Sequence, residues 1–263
     1  MIKRELKVNF KNFIIWLFVL VIIFLVVYLI YPYIITDDSM KGIDEMMKVF
    51  PPEVLKAFNM DVTSITSAYG WFKTEGFMFI LLIIGIYSSF LGGNILLKEE
   101  NDKTIEYLNS LPIKRNNIVT NKVIVGIIYI ILIVLLFGLF NLISLKISGD
   151  LDTKQFLLLS IIPLFVSLPL FSINLFISTF MHKSKRITGI SLGLVFLFYI
   201  ISVLSELSEK VQFLKYFSLY TLADTRNVIS NVEINPIMII ISFLITFIFI
   251  TFSYVKYNKK ELV

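Results

Sequence analysis

Six stretches of the sequence, 13–35, 76–97, 123–145, 156–181, 187–204 and 237–255, each run for roughly twenty residues without a charged side chain. At 1.5 Å rise per residue, a helix of that length crosses about 30 Å of hydrocarbon. In lipid every backbone N–H and C=O must be satisfied within the protein, and a helix of this length does so within its own segment. The first run illustrates the energetics. Most of its residues are Leu, Ile, Val or Phe, each contributing about −0.3 to −0.6 kcal/mol at mid-bilayer against about +2.5 to +3.5 for one Lys or Asp. The expected fold is therefore all-α: a polytopic membrane protein with six transmembrane helices, forming a single transmembrane domain over 1–263. In a chain of 263 residues, six spans leave no room for a separate catalytic domain. The basic start, Lys3, Arg4 and Lys7, followed by an apolar run mimics a signal peptide. The run is longer than an h-region and no small-residue cleavage site follows it, so it reads as an uncleaved first span.

An even number of spans places both termini on one side. That side receives 15 of the 24 basic residues and a balance of +9, against −4 on the other. The positive-inside rule then makes it cytoplasmic, in a multi-pass protein of the cell (plasma) membrane. The charge is split among four short segments, so it reads as a topology signal, and no nucleic-acid partner is expected. Cysteine is absent and there is one histidine, His182, which removes zinc chemistry; no metal site, catalytic residue or cofactor is expected in this chain. His182 itself, beside Lys183, Lys185 and Arg186, reads as a solvated loop residue.

Two external segments are long. In 36–75, apolar residues flank Pro51 and Pro52, and in 205–236 Val211, Phe213, Leu214, Tyr216 and Phe217 recur at near-helical spacing. Both read as interfacial amphipathic linkers, the sharper alternative being an outer gate or cap over a substrate path. The segment 146–154 reads as a short polar turn.

The most informative stretch lies between the second and third runs, Lys98-Glu99-Glu100-Asn101-Asp102-Lys103-Thr104-Ile105-Glu106-Tyr107-Leu108-Asn109-Ser110-Leu111-Pro112-Ile113-Lys114-Arg115. Asn101 or Asp102 is a suitable N-cap, acids crowd the first turn, and Pro112 stops the helix, so a helix is expected over about 101–111. Ile105, Leu108 and Leu111 share one stripe. So short a helix is marginal alone in water and must dock. An anionic inner leaflet would repel Glu99, Glu100, Asp102 and Glu106, which favours a protein partner.

The order of acids, then Thr104-Ile105-Glu106-Tyr107-Leu108, then Ser110-Leu111-Pro112-Ile113 and the basic pair Lys114-Arg115 resembles the first cytoplasmic loop of ABC-2 type permeases of bacterial ABC exporters. There a pattern E-x-x-x-G-T-[LI]-E-x-L-L-x-x-P-[IV]-x-R joins spans two and three. The six-span plan is similar too, and the basic amphipathic segment Lys3 to Lys11 is similar to that family's N-terminal elbow helix. Lys103 stands where the family often has Gly. A helix accepts Lys more readily than Gly, so the exchange is expected to leave the helix intact. The resemblance implies a permease subunit that lines the path of an ATP-driven exporter. Two copies of a separate ABC ATPase, carrying ATP and Mg, would couple to it through a cytoplasmic coupling helix, and a second permease copy or a paralogue would complete the path. Under it, the ATPase-coupling residues are Glu99, Glu100, Asp102, Thr104, Ile105, Glu106, Tyr107, Leu108, Leu111, Pro112, Lys114 and Arg115, with Ile105, Leu108 and Leu111 inserted into a groove of the ATPase. Consistent with a separate motor, the sequence holds no G-x-x-x-x-G-K-[ST] phosphate loop. A non-transporting scaffold or immunity subunit and a stand-alone secondary carrier are the competing readings.

Gly85, Ser89 and Gly93 on the second run, and Gly189 and Gly193 on the fifth, are small-residue repeats that let helices approach. Packing inside the subunit is the first reading and a dimer seam the second. Pro163 and Pro169 should loosen the fourth run and leave carbonyls for neighbours to satisfy. No charged residue sits near a midplane, which disfavours a proton-coupled carrier. Asn141 and Asn174 are candidate hydrogen-bonding groups on a substrate path, against a simpler role as glue between helices.

Overall fold

The computed structural model describes residues 1–34, 49, 72, 76–110, 112–148, 153–207, 209–223 and 225–260. Nearly all of the first long external segment, including Pro51 and Pro52, lies outside the described residues, as do Leu111 and much of the 146–154 turn. In chain order the helices are α1 (Ile2–Ile34), α2 (Phe77–Ile95), α3 (Lys98–Asn101), α4 (Ile105–Ser110), α5 (Arg115–Ser148), α6 (Thr153–Ser178), α7 (Ser184–Leu207), α8 (Thr225–Asn231) and α9 (Pro236–Asn258). Two 3-10 segments, Glu209–Phe217 and Tyr220–Ala223, lie between α7 and α8. Among the described residues there is no strand, and 6 helices, α1, α2, α5, α6, α7 and α9, are long and apolar enough to cross a membrane. The protein is an all-α, multi-pass membrane protein.

Helices α1 and α5 have 33 and 34 residues, about 50 Å each, against about 30 Å of hydrocarbon. This corrects the expectation of a separate elbow helix. The basic segment Lys3 to Lys11 is the first part of α1, continuous with the first span. No Gly or Pro interrupts the chain before Pro32, and buried contacts hold the segment in line. Glu5 and Asn9 face the protein, the Tyr129 hydroxyl of α5 donates to the Leu6 carbonyl (2.5 Å), and Lys98 donates to the Val8 carbonyl (2.9 Å). Lys3, Arg4, Lys7 and Lys11 stay exposed.

Helices α2 and α6 form the centre, with 67% and 72% of their apolar windows buried within the chain, against 17% for α7 and α9. Small residues make this closeness feasible. A Cβ on Gly92 would come within 2.2 Å of the Phe171 carbonyl oxygen of α6, which is backbone and cannot move aside. Gly85 receives Leu170 and the Tyr220 hydroxyl, and Gly93 receives Ile187 and Ser191 of α7; Ser89 is buried in the same face. These positions pack within the subunit. Gly189 and Gly193 differ, because no atom lies within 4 Å of an added Cβ, and Leu192, Phe196 and Leu197 beside them are exposed.

Helix α6 contains both Pro163 and Pro169. Pro169 cannot donate to the carbonyl four residues earlier, and Ser242 of α9 takes over, its Oγ donating to the Phe165 carbonyl at 2.7 Å. Asn174, on the same helix, donates to the Leu170 carbonyl (2.8 Å) and accepts from Ser191 of α7 (2.7 Å). Asn141 of α5 reaches Ser160 of α6 (3.3 Å). Both asparagines are fully buried between helices, the setting of interhelical glue.

The Gly92 contact separates from the open Gly189 site in a single experiment. Gly92→Ala should lower the unfolding free energy of the protein in micelles by about 1–3 kcal/mol through overpacking. Gly189→Ala should leave it unchanged or raise it by about 0.8–1.0 kcal/mol through helix propensity. Thermal melts of the two variants give the comparison, and equal effects would refute the packing described here.

Candidate functional site

The segment between α2 and α5 is built differently from the single helix expected over 101–111. Helix α3 ends at Asn101, whose side-chain amide donates to the Leu97 carbonyl (2.9 Å). The chain then reverses through Asp102 and Lys103, and Lys103 has φ 54°, the left-handed region that costs an ordinary L-residue roughly 1–2 kcal/mol and glycine little. Lys103 is therefore a turn residue, and the frequent Gly at this place in the resembling family has a backbone reason. The Thr104 amide closes the turn on the Glu99 carbonyl (2.9 Å), and the Thr104 carbonyl accepts from Leu108 (3.1 Å), so Thr104 stands at the head of α4.

Where α4 turns its apolar stripe is the second difference. Ile105 and Leu108 are buried in the hydrophobic core of this chain. They anchor α4 at home, so neither offers an exposed side chain to a groove elsewhere. Side-chain placements of Glu106 and Tyr107 are outside the described residues. On the exposed side of the loop are Asp102, Lys103, Pro112 and Lys114.

The acids of α3 are likewise turned inward, and three consecutive residues grip different helices. Glu99 pairs with Lys122 of α5 at 2.7 and 2.9 Å. Lys122 is fully buried, and it also holds Glu5 of α1 (3.3 Å) and the Ile95 carbonyl at the end of α2 (2.6 Å). Glu100 accepts from Lys260, just beyond α9, at 2.5 Å, and its other oxygen lies 3.0 Å from His182 Nδ1. Lys260 also donates to the Met181 carbonyl (2.5 Å) in the connection from α6 to α7. Asn101 bonds both the backbone amide of Ser184 (3.1 Å) and its hydroxyl, at the start of α7. Through these residues the loop is tied to α1, α5, α7, α9 and the exit of α6. Arg115 adds a clasp, donating to the carbonyls of Asn258 (3.1 Å) and Lys260 (2.8 Å).

Two of the ammonium groups, those of Lys260 and Lys98, are pulled two ways. Burial lowers the Lys260 pKa below its ordinary value, while the hydrogen bond and charge of Glu100 oppose that. Burial also lowers that of Lys98, against the pull of Asp102, Glu5 and Glu99. Among the described residues no group of three His, Asp or Glu side chains is placed to hold a metal ion.

Sequence reasoning singled out Glu99, Glu100 and Arg115 but missed Lys122 and Lys260, which pair with the two acids, Glu5, which shares Lys122, and Ser184, which bonds Asn101; His182 is exposed, as its sequence context suggested, and also meets Glu100. One signal was available. Lys122 follows Ile118 and Val119 and precedes Val123 and Ile124, and a lone ammonium at the head of an apolar helix calls for a carboxylate.

At the opposite end of the bundle, the connection from α7 to α9 is folded onto the helices. Ser218 donates to the Phe198 carbonyl (2.5 Å), and Gln155 donates to the Ile229 carbonyl (2.7 Å). Phe213, Tyr216 and Phe217 remain exposed along its outer side, as interfacial aromatic residues do. Between α2, α7 and the Tyr220 turn lies a small cleft of about 40 Å³, bordered by Tyr199, Glu206 and Tyr220.

Replacing Lys122 by Met would strand the Glu5 and Glu99 carboxylates in a dry site. Lys122→Met should cost about 3–5 kcal/mol of stability, read as a fall in the melting midpoint in micelles. Adding Glu5→Gln and Glu99→Gln should recover a good part of the loss; a Lys122→Met protein that melts like wild type would contradict this ion-pair assignment.

Residues 1–262 match the family model described as ABC-2 family transporter protein. No curated protein and no solved structure matches the chain.

Proposed function

Because the chain belongs to the ABC-2 transporter family and is a membrane permease component of an ABC transporter, we propose that it is the permease of an ATP-driven exporter, worked by a separate ATPase through the α3–α4 loop. The observation that carries the reading is the grip of Glu99, Glu100 and Asn101 on the other helices. A push on this loop reaches the inner ends of the spans through buried ion pairs and hydrogen bonds rather than through a flexible linker. Ile105 and Leu108 serve as the anchor of α4, and the ATPase meets the outward side of the loop, around Lys103, Pro112 and Lys114.

The end that carries both termini is the cytoplasmic end, as the excess of basic residues there supports, in the plasma membrane. Two ATPases and two permeases, identical or paralogous, make the working unit. The open face of α7 at Gly189 and Gly193 is a candidate seam for the second permease. Uncharged spans suit an apolar or amphiphilic cargo better than an ion, and in this reading the connection between α7 and α9 caps its exit.

The test is co-expression of the tagged chain with a candidate ABC ATPase from the same genome. The complex should survive purification and hydrolyse ATP in proteoliposomes, and a Lys103→Cys variant should react with an impermeant maleimide in inside-out vesicles but not in intact cells. A chain that retains no ATPase, or a Cys at 103 that labels from outside, contradicts the reading.

A further inference from the structure

Two apolar runs stop abruptly at the end of the bundle that carries both termini. That of α9 ends at Val255 with Lys256 next in the chain, and that of α7 begins at Ile187, directly after Arg186. Lys183 and Lys259 lie four residues beyond these two limits, and both are exposed, while Lys256 is half-buried. At 1.5 Å per residue, four residues of helix span about 6 Å, and the headgroup layer of one leaflet is about 5–7 Å deep. These cations therefore stand at the level of the lipid phosphates.

Contacts within the chain gather them at one corner. Lys260 donates to the Met181 carbonyl (2.5 Å), and the Lys256 Nζ lies 4.7 Å from the centroid of the Phe180 ring. Both contacts hold the end of α9 against the turn from α6 to α7, which brings Lys183, two residues past Met181, and Lys259, next to Lys260, to the same place. On the membrane side of these cations is an aromatic wall. Phe176 meets Phe180 at 5.1 Å between ring centroids, and Phe249 and Phe252 of α9 at 5.7 and 5.9 Å. Phe180 and Phe252 are half exposed, on the helix that buries only 17% of its apolar window within the chain. Among the described residues no carboxylate is bonded to Lys183, Lys256 or Lys259. Glu100, the acid nearest to them, is enclosed and already shared by Lys260 and His182.

We propose that this corner between α9 and the α6–α7 turn is a binding site for one anionic phospholipid, whose phosphate is held by Lys183, Lys256 and Lys259 and whose acyl chains lie along the wall of Phe176, Phe180, Phe249 and Phe252. A cation placed on a ring is positioned without being neutralised, so the Lys256 ammonium keeps its N–H donors for charge-assisted bonds to phosphate oxygens. Basic clusters between spans at the membrane surface take anionic headgroups in this way, and Lys185 and Arg186, exposed at the head of α7, add to the local positive potential. The wall decides between a lipid and a free anion of the same chemistry: inorganic phosphate gains nothing from four phenyl rings, whereas an acyl chain is already the solvent of that face. The site requires only that the chain crosses a bilayer, and it is independent of coupling to an ATPase.

The experiment titrates the full chain in micelles with phosphatidylglycerol or phosphatidylcholine and counts bound lipid by native mass spectrometry. Wild type should bind phosphatidylglycerol at least about tenfold more tightly than phosphatidylcholine. The triple variant Lys183→Gln, Lys256→Gln, Lys259→Gln should lose most of that preference, and the matching triple Arg variant, which keeps the charge, should retain it. Lys3→Gln, Lys7→Gln, Lys11→Gln removes as much charge from the exposed side of α1 and should leave the preference standing. Excess inorganic phosphate, compared with chloride at matched ionic strength, should not displace the bound phosphatidylglycerol. Equal affinity of wild type for the two lipids overturns the proposal. So does an equal loss in the two Gln variants, which would make the preference a property of the whole basic face, and so does displacement by inorganic phosphate, which would assign the corner to a free anion. Each of these results leaves the exporter reading untouched.

Discussion

An ammonium with no access to water must be surrounded by oxygen, and the structure around the inner ends of the spans is organised by that requirement at Lys122. Its four contacts come from Glu5, both oxygens of Glu99 and the Ile95 carbonyl, so helices α1, α2, α3 and α5 converge on one point. Desolvating these charges is costly, and their attraction offsets the cost only while all partners are in place. The consequence is cooperative: the beginning of α1 cannot lie down along the membrane surface as a free elbow, and α3 cannot swing away from α5, without exposing an unpaired buried charge. Glu100 with Lys260 repeats the device one residue later and draws in the end of α9.

The fold was legible because the bilayer imposes a length rule that needs no knowledge of tertiary contacts. Six uncharged runs became six spanning helices, and Pro169 with its freed carbonyl was matched by Ser242. The site was only half legible. The motif of acids followed by Thr104, Ile105 and Leu108 located the loop, yet the direction each side chain takes depends on what the other helices offer. Glu99 and Glu100 look like a solvated acidic turn until Lys122 and Lys260, 23 and 160 residues away, are brought beside them. Ile105, Leu108 and Leu111 look like a stripe for a partner because an amphipathic pattern records that a face is covered without recording by what; for Ile105 and Leu108 the cover is the chain's own core. Lys103 was misjudged for a different reason. Its helix propensity was weighed, but its position demands a positive φ.

These features give a division of labour within one short loop. Ile105 and Leu108 fasten it by apolar burial, Glu99, Glu100 and Asn101 bind it to the other spans, and Asp102, Lys103, Pro112 and Lys114 form its outward side. Under the exporter reading proposed above, such a loop would receive force on one side and deliver it on the other. The small-residue contact of Gly92 with Phe171 carries the connection onward into the paired centre, α2 and α6, where close backbone packing leaves little slack.

The central claim is that the loop and the inner ends of the spans move as one body. Spin labels at Lys103 paired with Lys259, and at Lys103 paired with Lys7, report it directly when their distance distributions are compared in the assembled complex without and with trapped ATP. The account predicts that both distributions keep their wild-type centre and width on ATP binding. A distribution that shifts or splits, with the loop leaving α1 or α9 while the ATPases close, would contradict it.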